Sequence, residues 1–377
     1  MELILILLVV GLLLYVFLIG QLIWGFNKVK TSNTKHSTPI SGFTIIIPFR
    51  NEARHLPHLL ESITRLNYPS EKIEIILIDD FSKDDSERIC IQWRLKNEHL
   101  DTTLLKNLHL SNSPKKDAIG RAMPIAKFDW VITTDADCIV NKNWLITLDN
   151  YIQTNTVEMI VGAVIYKTKN NWFHHFQQLD LMSLQGVTIG SFGMGKPFMC
   201  NGANFAYSKN FFYKIGGFGG ITEQASGDDV LLLQKAVEAN KTGVHYLKHP
   251  DFIVETKPEN DLYKLIMQRV RWAAKTASYK SNYAKFLAIV TLFTNFSLVL
   301  SFGFVIYGLL DLKVVLFLFL LKYCVDYILL YKSNAYLRKG KFFIPLASSI
   351  FYPIFSSWVG IYSLFGNYMW KGRTFKK

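Results

Sequence analysis

The 377 residues carry a net charge of +13, and 50% of them are hydrophobic. That length allows one large domain or two smaller ones, and Cys90, Cys138, Cys200 and Cys324 form no C-x-x-C pair, which argues against a disulfide scaffold and a thiolate metal site. The apolar residues collect in runs long enough to cross a bilayer, so anionic lipid headgroups, and no nucleic acid, account for the excess of lysine and arginine.

The first run, Leu3–Trp24, has Gln21 as its only strongly polar member and suffices for one crossing. It lacks a positive leading segment and a small-residue cleavage site, so it reads as an anchor. Phe286–Leu310, Val314–Tyr331 and Phe342–Phe365 read as three further spans. Lys28, Lys30 and Lys35 follow the first span, and Lys332, Arg338, Lys339 and Lys341 lie between the third and fourth. Positive loops stay cytoplasmic, which puts the soluble middle on the cytoplasmic side of a multi-pass protein of the cell (inner) membrane. Four full crossings would leave Lys371, Arg373, Lys376 and Lys377 on the opposite side. Pro345 and Pro353 keep a re-entrant or interfacial last segment open as the alternative.

Between the spans, Thr31–Ser41 is a polar linker and Phe43–Pro48 a continuous apolar strand of the kind covered on both faces. Asn51-Glu52 then opens a helix to about Leu66, with Asn51 as its cap. Ile73–Ile78 is the next strand, closing on Asp79-Asp80. A helix over Asp84–Glu98, a strand over Thr103–Leu110 and a helix from Lys115 follow. Trp130–Cys138 reads as a short strand ending in Asp135 and Asp137. Strands alternating with helices predict an open parallel α/β sheet, and such sheets bind ligands beyond their C-terminal strand ends. Arg50–Glu52, Asp79-Asp80 and the Asp135/Asp137 pair all fall on such ends. Two acids one residue apart call for a positive partner, and magnesium or manganese bridging nucleotide phosphates is one. A polar loop with two solvated acids is the blander reading.

Glu158–Tyr166 is predicted as another strand. Trp172–Leu184 has helical spacing, and two readings are open for it: an amphipathic helix in the membrane interface, or a core helix. Gly190–Gly202 reads as a glycine-rich loop. Asp228-Asp229 open an apolar helix at Val230–Ala239, where an acid is ordinarily a cap, although two adjacent acids after a glycine-rich stretch lean towards a site. His245 and His249 are four apart, but Pro250 argues against a helical zinc pair. Glu259–Tyr279 is a basic helix on which Gln268, Arg271 and Trp272 share a face. That face is either a snorkelling patch for lipid headgroups or a lid over a phosphate-bearing substrate. No P-loop is present, and Gly193-x-Gly195 follows no strand.

Taken in order, these motifs resemble the membrane-bound, inverting family 2 glycosyltransferases, which include cellulose and hyaluronan synthases, ceramide glucosyltransferase and bacterial lipid glycosyltransferases. The resemblance rests on I-I-P-F-R-N-E at Ile46–Glu52, I-D-D at Ile78–Asp80, D-A-D at Asp135–Asp137, N-G-A-N at Asn201–Asn204, G-D-D at Gly227–Asp229 and Q-R-V-R-W at Gln268–Trp272. It covers about Phe43–Tyr279. It implies a GT-A fold, with an anchor over 1–26, a cytoplasmic catalytic domain over 41–280 and a membrane or interfacial region over 286–370. It also implies a nucleotide-diphosphate sugar donor, commonly a uridine one, a magnesium or manganese ion, and a membrane lipid or lipid-linked acceptor. By position, Pro48, Arg50, Asn51 and Glu52 would line the donor site, and Asp79 or Asp80 would hold the base or ribose. Asp135 and Asp137 would bind donor and metal, Asp137 more directly. Asp229 would be the general base, with Asp228 beside it. Asn201, Gly202 and Trp272 would meet the acceptor, and Gln268, Arg271 and Trp272 would lie over the diphosphate. Lys116 stands where the family often has a basic residue before A-L-N, but the text here reads K-K-D-A-I-G-R. Transfer of one sugar to a lipid is the favoured reading and a processive polysaccharide synthase the runner-up. A non-catalytic lipid- or nucleotide-binding scaffold and a permease, for which Asp326 is the only acid well inside a span, are the readings from other classes.

Overall fold

The computed structural model describes residues 2–33, 38–224, 226–338, 346–370 and 373–375. Lys35, Lys339, Lys341, Pro345, Lys371, Lys376 and Lys377, which bear on orientation above, lie outside them. Along the chain the elements are α1 (Glu2–Lys28), β1 (Phe43–Phe49), α2 (Leu56–Thr64), β2 (Ile73–Asp79), α3 (Ser86–Lys96), β3 (Asp101–Lys106), α4 (Pro114–Ala122) and β4 (Trp130–Thr133). Next come α5 (Trp144–Thr154), β5 (Met159–Val161), β6 (Val164–Tyr166), α6 (Trp172–Gly193), β7 (Phe205–Ser208), α7 (Lys209–Lys214), α8 (Val230–Asn240), β8 (Val244–Tyr246) and β9 (Val254–Thr256). Four helices, α9 (Leu262–Ala274), α10 (Asn282–Ile306), α11 (Leu312–Leu337) and α12 (Leu346–Phe365), precede a short hairpin, β10 (Tyr368–Trp370) and β11 (Arg373–Phe375).

Two compact units result. One comprises residues 30–167 and 199–257, the other residues 1–29, 168–198 and 258–377. Two stretches of the 41–280 segment therefore group with the apolar helices.

The first unit is built on a seven-stranded sheet in the order β3-β2-β1-β4-β7-β5-β8. β1 runs parallel to β2 on one side and to β4 on the other, while β7 is antiparallel to both β4 and β5. Ile45, Ile47, Ile75 and Leu77 are fully buried, as continuous apolar strands covered on both faces require. The strand expected over Glu158–Tyr166 breaks in two at Gly162-Ala163, because Asn204 is wedged there. Its Nδ2 donates to the carbonyls of Ala163 (3.0 Å) and Phe252 (2.6 Å), its Oδ1 accepts from the Trp144 indole at 3.0 Å, and a Cβ on Gly162 would sit 2.2 Å from Nδ2. A fully hydrogen-bonded buried amide of this kind fixes the start of β6 and the end of the N-G-A-N turn together.

In the second unit, α1, α10 and α11 are long and apolar enough to cross a membrane by length and composition. Exposed Leu3, Leu7, Leu13 and Phe17 on α1 are the apolar outer surface expected of a helix meeting lipid. α12, expected as a fourth span, is not among the three: Pro353 lies inside it, and five serines dilute its hydropathy. α6 runs through Gly193, so the first residues of the supposed glycine loop are helical. Glycine there serves packing. A Cβ on Gly190 would lie 2.3 Å from the Leu22 carbonyl oxygen and one on Gly193 1.8 Å from that of Gly25, the close backbone approach that small residues allow between helices. Most α6 side chains are buried, which favours the core alternative over an interfacial helix.

Candidate active site

β1, β2 and β4 all end at one edge of the sheet in the first unit, and the polar clusters predicted from sequence meet there. The turn after β4 carries Asp135 and Asp137, with the Cys138 N–H closing onto the Asp135 carbonyl at 3.0 Å. A lysine faces this turn from α4. Lys115 Nζ lies 2.6 Å from Asp135 Oδ1 and 3.2 Å from Asp228 Oδ2. Burial alone would push its ammonium down, but Asp135, Asp228 and Asp229 together raise it above the ordinary lysine range.

Asp229 caps α8 and faces the cluster at once. Its Oδ1 accepts the Val230 N–H at 2.7 Å and its Oδ2 the Gly202 N–H at 3.1 Å. Gly202 is pinned from the other side by Thr133 Oγ1, which donates to its carbonyl at 2.7 Å. A Cβ there would come within 2.9 Å of Asp228 Oδ2 and 3.2 Å of Lys115 Nζ, so only glycine lets the backbone approach the acids this closely. Asp135, Asp228 and Asp229 thus surround one ammonium, an excess of negative charge that suits a cationic or metal-bridged ligand.

Lys116, the residue expected to bind the donor, is used differently. It is 1% exposed and donates to the carbonyls of Ile221 (2.5 Å), Gln224 (2.8 Å) and Ser226 (3.4 Å). It ties the segment that leads into Asp228-Asp229 to α4, while its neighbour Lys115 meets the acids. Pro114 opens α4, which puts the two lysines about 100° apart around the helix.

The second cluster lies at the end of β2. Asp79 Oδ1 accepts the Ser82 N–H at 2.9 Å, and Lys106 Nζ is 3.7 Å from Asp79 Oδ2. Asp80 Oδ1 receives Asn107 Nδ2 at 2.8 Å and His109 Nε2 at 2.6 Å. Arg50 donates to the carbonyls of Asp80 (2.6 Å) and Phe81 (3.0 Å) and holds this turn shut. Phe81 has φ +57°, a left-handed conformation unfavourable for an aromatic residue. Its half-exposed ring tilts against His109 with centroids 4.7 Å apart. Asn51 is not a helix cap: α2 starts at Leu56, and Asn51 sits at φ +52° with its Oδ1 accepting the Lys83 N–H at 2.7 Å. Asparagine tolerates that region better than most residues. Glu52 is 2.7 Å from His55 Nδ1 and donates its N–H to Ser86 Oγ, and Pro48 lies in β1 opposite Ile78.

Gln268, Arg271 and Trp272 lie on α9 of the second unit.

Asp135 and Asp137 offer the hard oxygen donors that magnesium or manganese takes. Among the described residues no group of three or more His, Cys, Asp and Glu could hold a metal by itself. A site of two carboxylates completed by phosphate oxygens and water fits that donor set, as is usual for magnesium at nucleotide phosphates.

Residues 44–216 match the family model described as Glycosyl transferase family 2. It is 28% identical over 120 residues to glycosyltransferase GlyG of Streptococcus pneumoniae serotype 4, covering 32% of this chain and 38% of that protein. To poly-beta-1,6-N-acetyl-D-glucosamine synthase of Staphylococcus aureus it is 24% identical over 174 residues, covering 46% and 40%. These matches span about two-fifths of the relatives' lengths. Among solved structures, mannosyltransferase PcManGT from Pyrobaculum calidifontis, in complex with GDP-Man and Mn2+, superposes with a TM-score of 0.61 at 15% identity, over 96% of this chain and 99% of that one. The fold is accordingly of the GT-A type.

Proposed function

We propose that the chain is a membrane-bound inverting glycosyltransferase that moves a sugar from a nucleotide-diphosphate donor to a hydroxyl of a lipid or lipid-linked acceptor. The observation that carries this reading is the meeting of Asp135, Asp228 and Asp229 around Lys115 at the C-terminal edge of the parallel strands. In this reading Asp229 takes the proton of the acceptor hydroxyl as its oxygen attacks the anomeric carbon. The sugar–phosphate bond breaks on the opposite face, and the nucleoside diphosphate leaves with inverted stereochemistry at the sugar. The N–H groups of Gly202 and Val230 hold the Asp229 carboxylate in place. Asp137 and Asp135 would hold the divalent cation, which neutralises charge on the leaving diphosphate. Lys115 offers a second cation beside it. Lys28 and Lys30, after α1, support a cytoplasmic catalytic domain.

The match to a poly-N-acetylglucosamine synthase favours a second reading, processive polymer synthesis. Single transfer is preferred because a polymer channel calls for a larger bundle than the three qualifying helices among the described residues. Product sizing separates the two.

The test is donor turnover by the full chain in detergent, with manganese, across a panel of UDP- and GDP-sugars. One donor is expected to release its nucleoside diphosphate, with turnover abolished by chelator and restored by manganese or magnesium. Failure of every donor rejects the transferase reading, and full turnover in chelator rejects the metal.

The β2-end cluster is assigned to the nucleobase and ribose, with the Phe81 ring as a stacking surface. Phe81→Ala should weaken binding of the matching nucleoside diphosphate by about fivefold to a hundredfold, the usual worth of one base–aromatic stack. Unchanged affinity by calorimetry would remove Phe81 from the site.

A further inference from the structure

α12 falls short of the three qualifying spans, but its average composition hides two faces. Leu346, Ile350, Ile354, Trp358, Ile361 and Phe365 recur every three or four residues, and all of them are exposed. Ser348, Pro353, Ser357 and Ser363 are buried, and Ser356 accepts Asn295 Nδ2 of α10 at 3.2 Å. The residues that lower the hydropathy of this helix therefore point inwards, and its outer side is an apolar stripe from one end to the other. A contiguous stripe of that kind marks a surface that meets something other than water.

Contacts within the second unit fix the direction of α12. The three spans come level at their middles: a Cβ on Gly11 of α1 would lie 2.5 Å from the Phe293 ring of α10, and Tyr15 of α1 donates to Asp326 of α11 at 2.6 Å. Nearer the end of α1, Lys332 of α11 donates to Asn27 Oδ1 at 3.0 Å. α1 and α11 thus run the same way, and α10, joined to α11 by residues 307–311, runs against them. On α12, Ser356 meets Asn295, but four residues on Gly360 meets Leu292, with a Cβ there 2.6 Å from Leu292 Cδ1. As the number rises on α12 it falls on α10, so α12 is antiparallel to α10 and parallel to α11. Val359 packs on Val270 of α9, and β10 lies against α9, the helix that precedes α10. α11 and α12 therefore both end on the side where α10 begins. A fresh crossing after α11 would have to run the opposite way.

We propose that α12 is a re-entrant membrane helix whose exposed stripe contacts the acyl chains of the bilayer, the chain returning to the face at which α11 ends. Lipid is the partner this surface fits, because the stripe belongs to the unit that holds the three spans, and the exposed Phe286, Ile289 and Phe293 of α10 are apolar in the same way. A proline inside the helix is tolerated there, where neighbouring helices satisfy the freed backbone groups. The basic residues that follow in the sequence, Lys371, Arg373, Lys376 and Lys377, then emerge on the side of Lys28 and Lys30. That is the side the positive-inside pattern requires, and it brings them to the anionic headgroups of the cytoplasmic leaflet. This placement rests on the membrane reading above and is independent of the transfer chemistry.

The test is cysteine labelling of the full chain in membranes with an impermeant maleimide. The parent chain gives the background, since Cys90, Cys138 and Cys200 are buried and Cys324 lies within α11. Lys30→Cys, after α1, reports one side, and Leu309→Cys, between α10 and α11, the other. Lys377→Cys is expected to follow Lys30→Cys, labelling in inverted vesicles and staying at background in intact cells, while Leu309→Cys does the reverse. Labelling of Lys377→Cys together with Leu309→Cys makes α12 a fourth crossing and overturns the re-entrant path. Nitroxides on Ile354→Cys and Trp358→Cys then test the stripe in vesicles of phosphatidylethanolamine and phosphatidylglycerol. Both should be relaxed strongly by oxygen and weakly by a water-soluble nickel complex. Strong relaxation by nickel means water, and weak relaxation by both means protein, such as a second copy of the chain; either result overturns the lipid contact. Melting temperatures matching the parent show that each variant is folded. Release of the wild-type chain from membranes by alkaline carbonate rejects the membrane reading itself, and the re-entrant helix with it.

Discussion

Asp229→Asn is expected to lower transfer by about a hundredfold to ten-thousandfold, the range for loss of a general base, while donor affinity stays within about twofold. Asparagine is as good a helix cap as aspartate, so α8 should keep its start. The substitution is not silent structurally, however. Asp229 uses separate oxygens for the Val230 and Gly202 N–H groups, and an amide has only one. One of the two donors loses its acceptor, at about 1–3 kcal/mol. That loss lowers the melting temperature but cannot account for a thousandfold fall in rate. Asp137→Asn should behave differently, weakening donor and manganese binding together with turnover. Measuring nucleotide-sugar binding, melting and turnover for each variant separates the roles. Near-normal transfer by Asp229→Asn would falsify the assignment and pass the base to Asp228.

How much of this was legible in the sequence depends on which physical signal each residue carries. β1, β2 and β4 announce themselves as apolar runs, and the acids at their ends follow from the pattern. The choice between Lys115 and Lys116 did not follow. Both precede the same motif, and only the helix register that begins at Pro114 decides which one meets Asp135 and which one holds the Ile221–Ser226 carbonyls. Asn204 was seen as part of a motif, but its wedge between β5 and β6 is a tertiary contact without local trace. Phe81 at positive φ runs against its own propensity, so no single-residue preference points to it. The glycines of α6 misled for a related reason: a glycine chosen for contact with α1 looks the same in sequence as one chosen for a turn. Arg269 sits in the middle of a motif read for its neighbours, and its burial against Asp180 emerges only when α6 and α9 are packed together.

Lys115→Met should be the most destabilising single change at the acid cluster, by about 2–3 kcal/mol. Removing one partner of a buried ion pair typically costs about 3–5 kcal/mol, and the lower figure applies because the Asp135 side chain is 40% exposed and water screens it. The pH dependence gives this its signature. In the wild type the Lys115 pKa is raised in the fold, so its stabilisation is fully present below the unfolded lysine value near about 10.4 and is lost only as pH rises through the still higher folded value. Between neutrality and pH 5 that contribution is constant. In Lys115→Met, Asp135, Asp228 and Asp229 face one another without a counter-charge, and their mutual repulsion weakens the fold for as long as they are ionised. Protonation then relieves the repulsion, and the deficit relative to wild type should shrink as pH falls from 7 towards 5. The measurement is denaturant unfolding of both proteins in chelator across that window. Manganese should restore more stability to the variant than to the wild type, because the oxygens of Asp135 and Asp228 no longer serve an ammonium, while an equal ionic strength of monovalent salt should restore less. A variant with wild-type stability at pH 7, or a deficit that grows on acidification, removes Lys115 from the electrostatic centre of the site.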